Sequence, residues 1–222
     1  MLKSTPIIII AVIASILVAC DNNSTVLQVN DEVSDKTKNA DDKKFDAMML
    51  GMTQKLLRSR TAWNNSFEKI KGRNVGNLAV LTNADELERQ KKIAQQHLDI
   101  TRSYTELVRS IDSQAIALVE TSAISSDANE DYISGIQAQS SATVNDIAFF
   151  TLMEKHENYA SVLLSFLSFF EQRQGAWLLD HKSRVGFAND NDSDDYFTVL
   201  LPSFQLAAEE LNAASAAFDS VR

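Results

Sequence analysis

The chain has 222 residues, 45% of them hydrophobic, with a single cysteine and a formal net charge of −9 at pH 7. Because so acidic a chain repels phosphate backbones, its composition argues against nucleic-acid binding. A lone cysteine has no partner for an internal disulfide. Only six glycines and two prolines punctuate the sequence, and this scarcity of turn residues favours long helices over a β-protein.

The first element is an uncharged apolar run from Ile7 to Val18, which follows Lys3 near the start of the sequence. It has the polarity of a secretion signal and is too short for a transmembrane helix, which needs roughly 20 apolar residues. We therefore predict a signal peptide over residues 1–19.

The apolar run ends in Leu17-Val18-Ala19-Cys20, which resembles the lipobox of bacterial lipoproteins. The resemblance implies cleavage between Ala19 and Cys20, a diacylglyceryl group on the Cys20 sulfur and an acyl chain, such as palmitate, on the new amino group. Two such signals anchor a protein stably where one chain binds only marginally. We expect a lipid-anchored protein of the cell envelope that faces the periplasm, with these lipid groups and no other cofactor.

Residues 20–41 are rich in Asn, Asp, Ser, Thr and Lys. Such a stretch cannot bury enough apolar surface to offset the entropy of ordering, so we predict a flexible, lipidated linker before one helical domain over 42–222. Asp21, directly after the cysteine, resembles the retention signal of inner-membrane lipoproteins in enteric bacteria. It favours the inner over the outer membrane.

Amphipathic stretches follow the linker, with apolar residues at intervals of three and four. The first is predicted from about Asp42 to Lys71. The second begins at Asn83, whose spacing to Glu86 matches a capping box, in which each side chain satisfies a free backbone N–H at the helix start. It continues to about residue 118.

The third stretch begins where Asp127 and Glu130 repeat the capping-box spacing. It is interrupted near Ser140 and Ser141, and its apolar face continues as far as Trp177. Its middle, residues 159–170, is apolar nearly all round, which predicts a central helix with neighbours on several sides. Charged residues bracket this span too closely for a transmembrane helix.

The last helix is predicted from about Asp194 to the C-terminus. Pro202 is expected to kink it, because proline removes a backbone donor and crowds the carbonyl four residues earlier. The fold class is therefore all-α, an elongated antiparallel bundle of about four long helices, one of them split or kinked.

The three histidines, His97, His156 and His181, carry no metal-binding motif. Each lacks the glutamate three residues earlier that carboxylate di-iron bundles use, and no pair has zinc-site spacing. We interpret His156, which lies near an apolar face, as a partly buried or rim histidine and not as a ligand.

Three aspartates at alternate positions resemble the ligands of a calcium loop: Asp190, Asp192 and Asp194. An EF-hand needs glycine at its sixth position and glutamate at its twelfth, where this chain has Asp195 and Leu201. The favoured interpretation is a solvated acidic turn in which Ser193 or Asp194 caps the next helix. Weak binding of a divalent ion is the alternative.

The sequence contains neither a nucleophile elbow nor a glycine-rich phosphate loop, so no catalytic residue is proposed. We predict a non-catalytic binding or scaffolding module with a protein partner in the envelope, its specificity and oligomeric state left open. One alternative is an immunity-type inhibitor that neutralises a delivered toxin through its acidic surface. Another is a carrier whose bundle encloses an apolar ligand among dense aromatic residues: Phe149, Phe150, Phe166, Phe169, Phe170 and Trp177.

The C-terminal quarter resembles the YiaF-like bacterial lipoproteins at a small set of positions: Gln174-Gly175, Val185, Phe187, Tyr196 and Leu201-Pro202. The order of lipobox, short polar leader and long helices is also similar. That family has no assigned activity, so the resemblance implies a helical envelope lipoprotein and no catalytic role.

Overall fold

A computed structural model describes residues 40–73, 75–140, 146–182 and 184–220. In chain order its elements are α1 (Ala40–Gly72), α2 (Leu78–Leu81), α3 (Ala84–Thr121), α4 (Ser126–Ser140), α5 (Asp146–Gln172), β1 (Trp177–Leu179), β2 (Val185–Phe187), α6 (Asp190–Asp195), a π-helical turn (Tyr196–Leu200) and α7 (Leu201–Ser220). The predicted all-α class is confirmed. The predicted leader, Cys20 and the linker as far as residue 39 lie outside the described residues.

Helix α1 shows why these segments become helices. Asp41 and Asp42 occupy its first turn, and Lys69 and Lys71 its last, so the charges complement the helix dipole at both ends. One stripe along the helix is buried: Phe45, Met49, Met52, Leu56, Trp63 and Ile70. This stripe follows the spacing of three, four or seven residues that the sequence predicts.

The described residues divide into two compact units. The first unit takes residues 40–58 and 107–140, and the second takes 59–106 and 146–220, apart from the two single positions 74 and 183. Helices α1 and α3 contribute residues to both. The sequence-based boundary of one domain over 42–222 stays a prediction.

In the first unit, α4 is fixed to the start of α1. The Phe45 and Tyr132 rings are stacked with centroids 4.2 Å apart, and the Tyr132 hydroxyl donates to Asp42. The hydroxyl of Ser125, which precedes α4, donates to Asp41 at 2.8 Å. Helix α4 begins at Ser126, one residue before the predicted Asp127, and it ends at Ser140, where the sequence predicts an interruption.

In the second unit, the long helices run antiparallel to their neighbours. As residue numbers rise along one helix, the residues it contacts on its neighbour have falling numbers. Helices α1 and α3 show this with the pairs Trp63–Tyr104 and Ser66–His97, and α3 and α5 with Tyr104–Phe149 and Arg102–Glu157. For α5 and α7 the pairs are Phe149–Phe218 and Tyr159–Phe204. Antiparallel packing is expected of an up-and-down helical bundle.

The turn between α1 and α3 also packs against other elements of the second unit. Gly76 has a φ of +90°, a backbone conformation that L side chains rarely adopt. A Cβ there would lie 3.3 Å from Leu163 Cδ1 on α5. The Gly76 N–H donates to the Gln90 side chain at 2.8 Å, and the Glu86 N–H donates to Asn83 Oδ1 at 3.1 Å, which confirms Asn83 as a helix cap.

A short β-hairpin corrects the prediction that Trp177 belongs to a helix. Trp177 lies in β1 and pairs in antiparallel register with Phe187 of β2. Gly175 takes a φ of +81° just before the strand, so the helical path of α5 ends at Gln172. One face of the hairpin packs on the core, and Trp177 is only 8% exposed.

The last helical segment begins earlier than predicted. Asn189 is its N-cap and accepts a hydrogen bond from the Asp192 N–H, so α6 starts at Asp190 and neither Ser193 nor Asp194 is the cap. A π-helical turn, Tyr196–Leu200, precedes α7. Pro202 is the second residue of α7 and lies two residues after this turn, so the irregular part of the helical path stands next to the predicted kink.

Among the described residues, no helix combines the length and hydropathy needed to cross a membrane.

Candidate functional site

Helix α3 carries polar side chains along its buried face. They share helical spacing and are almost completely buried: Gln90, His97, Thr101 and Thr105. The Thr101 and Thr105 hydroxyls donate to main-chain carbonyls four residues earlier, both at 2.8 Å. These threonines therefore satisfy themselves within the helix, whereas His97 must find partners on other helices.

His97 joins a chain of three polar side chains from three helices in the second unit. His97 Nδ1 lies 2.7 Å from Ser66 Oγ on α1, and His97 Nε2 lies 3.3 Å from His156 Nδ1 on α5. The two histidines are 0% and 2% exposed, and Ser66 is 3% exposed. We call Ser66, His97 and His156 the histidine centre.

The hydrogen-bond network indicates which atom donates in each hydrogen bond of the histidine centre. The Ser66 hydroxyl donates to the Trp63 carbonyl at 2.7 Å, so its oxygen accepts from an Nδ1–H of His97. His97 Nε2 is then the acceptor for the Nδ1–H of His156. This assignment takes both imidazoles as neutral, each with one N–H, which agrees with their almost complete burial.

Aromatic rings enclose the histidine centre. His156 lies edge-to-face with Trp63 and Phe67, with centroids 4.8 and 4.5 Å apart, and the Phe67 ring is stacked on His97 at 5.3 Å. Burial lowers the pKa of His97 to about 4. Burial, with the nearby charges of His97 and Lys71, lowers the pKa of His156 to about 3. Both histidines are therefore neutral near pH 7.

The interpretation of His156 as a partly buried or rim histidine is wrong, because its ring is closed in by aromatic side chains and by His97. Sequence analysis missed Ser66 and treated His97 only as a residue without a metal motif. The available signal was helical spacing, since His97 shares the buried stripe of α3 with Ala94 and Tyr104. His181 is exposed.

The histidine centre offers two nitrogen ligands but lacks a third metal ligand. Among the described residues, no group of three or more His, Cys, Asp or Glu side chains is placed to hold a metal ion. Ser66 bonds the ring nitrogen of His97 that faces away from His156. What the arrangement can do chemically is relay a proton between two neutral imidazoles and a hydroxyl, out of reach of solvent.

Among the described residues, the three aspartates considered as calcium ligands form no group placed to hold a metal ion. Asp192 bonds Arg173 through Oδ1 and accepts from Asn189 Nδ2 through Oδ2 at 2.5 Å. Asp190 and Asp194 occupy other positions of α6. The Arg173 guanidinium also lies over the Phe169 ring, 3.9 Å from its centroid. Arg173 therefore links α6 to an aromatic ring of α5.

The hairpin has one apolar face in the core and one at the surface. Trp177, Leu179, Val185 and Phe187 join the core cluster. On the opposite face, Leu178 is 62% exposed and pairs with Gly186. An open groove of about 500 Å³ lies there, with Leu178, Gly186 and Phe197 among its walls. We call these three residues the hairpin surface.

The aromatic residues behind the carrier hypothesis pack ring against ring. Phe170 contacts Phe166 at a centroid distance of 5.1 Å, Phe169 at 5.5 Å and Trp177 at 4.7 Å. Phe149 contacts Phe150 at 5.2 Å. Edge-to-face contacts at these distances are the geometry that aromatic pairs prefer. The carrier hypothesis stays a prediction.

Comparison with known proteins found no family model, no curated protein and no solved structure that matches this chain. The lipobox and the YiaF-like positions stay predictions from the residues that carry them.

Proposed function

We propose that this chain is a lipid-anchored, non-enzymatic binding module of the cell envelope, tethered through Cys20 on the periplasmic side. The hairpin surface is its docking site for a protein partner. The observation that carries the proposal is the exposure of large apolar side chains there, since Leu178 and Phe197 are 62% and 51% exposed beside an open groove. Exposed apolar residues grouped around a groove are typical of interaction sites.

The charge around the hairpin surface specifies the partner. Helix α6 contacts β2 and carries four aspartates in six residues, of which Asp190, Asp194 and Asp195 are exposed. Phe197 lies two residues after the end of this acidic segment. Arg184 and Asp180 also line the groove, and their charges offset each other in an ion pair of 2.7 Å. The exposed aspartates of α6 therefore favour a partner with a basic surface that presents an apolar side chain to the groove, because complementary charge steers association and fixes orientation.

The histidine centre supports the part of the proposal that assigns no catalytic activity. Its hydroxyl and imidazoles are buried and bonded to one another, whereas a general base must reach a proton on its substrate. The centre therefore specifies which helix faces meet, as buried polar groups do in some helical assemblies.

The tether is tested with Cys20→Ser. Wild-type protein incorporates labelled palmitate and stays with the membranes after a high-salt wash, whereas Cys20→Ser incorporates none and is released. Membrane retention of the unlabelled Cys20→Ser protein would refute the lipid anchor. Separation of inner and outer membranes of the wild-type strain tests the assignment from Asp21.

The docking site is tested with a photo-crosslinking amino acid at Leu178 or Phe197, and at Gln205, an exposed polar position of α7, as control. We expect one basic protein to be captured from the first two positions and not from the third. Its purified form should bind the chain with an affinity that falls as salt rises and drops at least tenfold with Phe197→Asp. Equal capture at Gln205, or binding unaffected by Phe197→Asp, would contradict the proposal.

A further inference from the structure

A second open groove lies in the second unit, away from the residues of the hairpin surface. Its volume is about 320 Å³. Its walls include Ile70, Val75 and Leu211, which are 3%, 8% and 4% exposed. These side chains belong to the core and present only their edges to the groove, so they form a narrow apolar floor beneath open space. We call it the Lys71 groove.

Polar groups stand at one part of this groove. Lys71 and Asn212 are exposed, and they line it together with the aromatic rings of Phe67 and Tyr159. Lys71 is the only charged residue among those lining it, in a chain whose formal net charge is −9. A lone cation beside an apolar wall complements a ligand with one negative charge and an apolar tail.

The Lys71 ammonium is available to such a ligand. Its Nζ lies 4.7 Å from the centre of the Phe67 ring and 2.9 Å from Glu68 Oε1. The Lys71 and Glu68 side chains are 55% and 67% exposed. An ion pair this exposed is worth little, because water screens it and both side chains are flexible. An incoming carboxylate can therefore replace Glu68 at low cost.

The size of the groove limits the tail. An enclosed cavity of about 150 Å³ admits benzene. This groove is larger but open on one side, so it accommodates part of an alkyl chain of medium length. The Phe67 ring, which forms part of the wall, also packs on His97 and His156. These imidazoles are neutral and are bonded to each other and to Ser66. The histidine centre behind the Phe67 ring therefore does not attract the ligand's carboxylate away from Lys71.

We propose that the Lys71 groove binds a fatty carboxylate of medium chain length. The carboxylate accepts hydrogen bonds from the Lys71 ammonium and the Asn212 side-chain amide. The alkyl chain lies along Ile70, Val75 and Leu211, against Phe67 and Tyr159. This site uses none of the residues of the hairpin surface, so it does not depend on the protein partner proposed above.

The probe is dodecanoate that carries a photoreactive diazirine on its chain, added to the full chain purified in a non-ionic detergent. After irradiation, mass spectrometry of the peptides locates the label, which separates this site from ligand dissolved in the micelle. We expect labelled peptides that contain Val75, Tyr159 or Leu211. Label confined to peptides that contain none of the groove residues would overturn the proposal.

The charge requirement is tested with Lys71→Met, which keeps the apolar stem and removes the ammonium. We expect labelling to fall about threefold, the effect of losing one exposed ion pair, whereas Lys69→Met, in the same last turn of α1 but outside the groove lining, leaves it unchanged. The Lys71 side chain is 55% exposed, and urea unfolding of both variants checks that losing its contact with the Phe67 ring leaves the fold intact. The methyl ester of the probe should label the wild type and Lys71→Met weakly and to the same extent. Equal labelling by acid and ester, or no effect of Lys71→Met, would overturn the proposal.

Discussion

The histidine centre and the hairpin surface reverse the usual distribution of polar and apolar groups in opposite ways. In the histidine centre, three polar side chains are at most 3% exposed and are bonded to one another. At the hairpin surface, Leu178 and Phe197 are more than half exposed. A buried polar group costs free energy unless it is paired, and an exposed apolar group leaves its burial energy for a partner. The first arrangement constrains the fold, and the second is available for binding.

The largest expected effect of a single substitution concerns the core beneath the hairpin. Phe170 is 0% exposed, and Phe170→Ala should lower the free energy of unfolding by about 3–5 kcal/mol through lost burial and a cavity. The matched control is Phe197→Ala, the same substitution at an exposed ring, which should change it by less than about 0.5 kcal/mol. Urea unfolding followed by circular dichroism measures both. Similar losses in the two variants would contradict the assignment of Phe197 to the surface.

The next effect is a loss of stability in acid. The pKa values of His97 and His156 are held at about 4 and about 3 in the folded chain, below the value of roughly 6.5 for an unfolded histidine. The unfolded state therefore binds more protons below pH 6.5, so this contribution is complete above that pH and is lost as the pH falls towards 4. The expected slope is about 1.4 kcal/mol per pH unit for each histidine.

Denaturation at several pH values measures that slope. His156→Leu should reduce it by about half. His181→Gln, at an exposed histidine, is the control and should leave it unchanged. A stability that stays constant between pH 6.5 and 4.5 would show that the two buried rings are not held neutral.

A smaller effect is expected when the histidine centre is broken. His97→Leu leaves Ser66 and His156 without their shared partner and should cost about 1–3 kcal/mol, the penalty of an unpaired buried polar group. The double variant Ser66→Ala/His97→Leu removes both ends of one hydrogen bond and should lose less than the sum of the two single changes. Additive losses in this cycle would argue against a bonded chain.

The smallest effect on stability is expected at the hairpin surface. Leu178→Ser should change the free energy of unfolding by less than about 0.5 kcal/mol while it weakens binding of the protein partner at least tenfold. Leu167→Ser, at a leucine that is 0% exposed, is the matched control and should lose at least about 2 kcal/mol of stability. If Leu178→Ser bound the partner as tightly as the wild type, the exposed Leu178 side chain would not be part of the docking site.

Local patterns predicted the long helices well, because their signal is contained within a few turns. The stripe of α1 and the cap at Asn83 were both legible in the order of residue types. The hairpin was not, since strands of three residues give no periodicity that differs from the end of a helix. Trp177 continued the apolar spacing of α5, but Gly175 turned the chain before it.

The candidate site was predicted far less completely than the fold. His156 was recognised near an apolar face, but spacing within one helix cannot show which residue of another helix lies opposite. Ser66 precedes His97 by 31 positions, and His156 follows it by 59. The Lys71 groove likewise depends on Leu211 and Asn212, which only the packing of α7 places near the end of α1.

The sequence by itself determined the helical class of this protein and the residues that predict its lipid anchor, because periodicity, helix caps and a short motif are all local features. Tertiary structure decided that two histidines share one buried hydrogen bond, that one hairpin face is covered and the other open, and that a single lysine stands beside an apolar groove. These features depend on residues distant in sequence, whose meeting is set by which faces of the helices pack together.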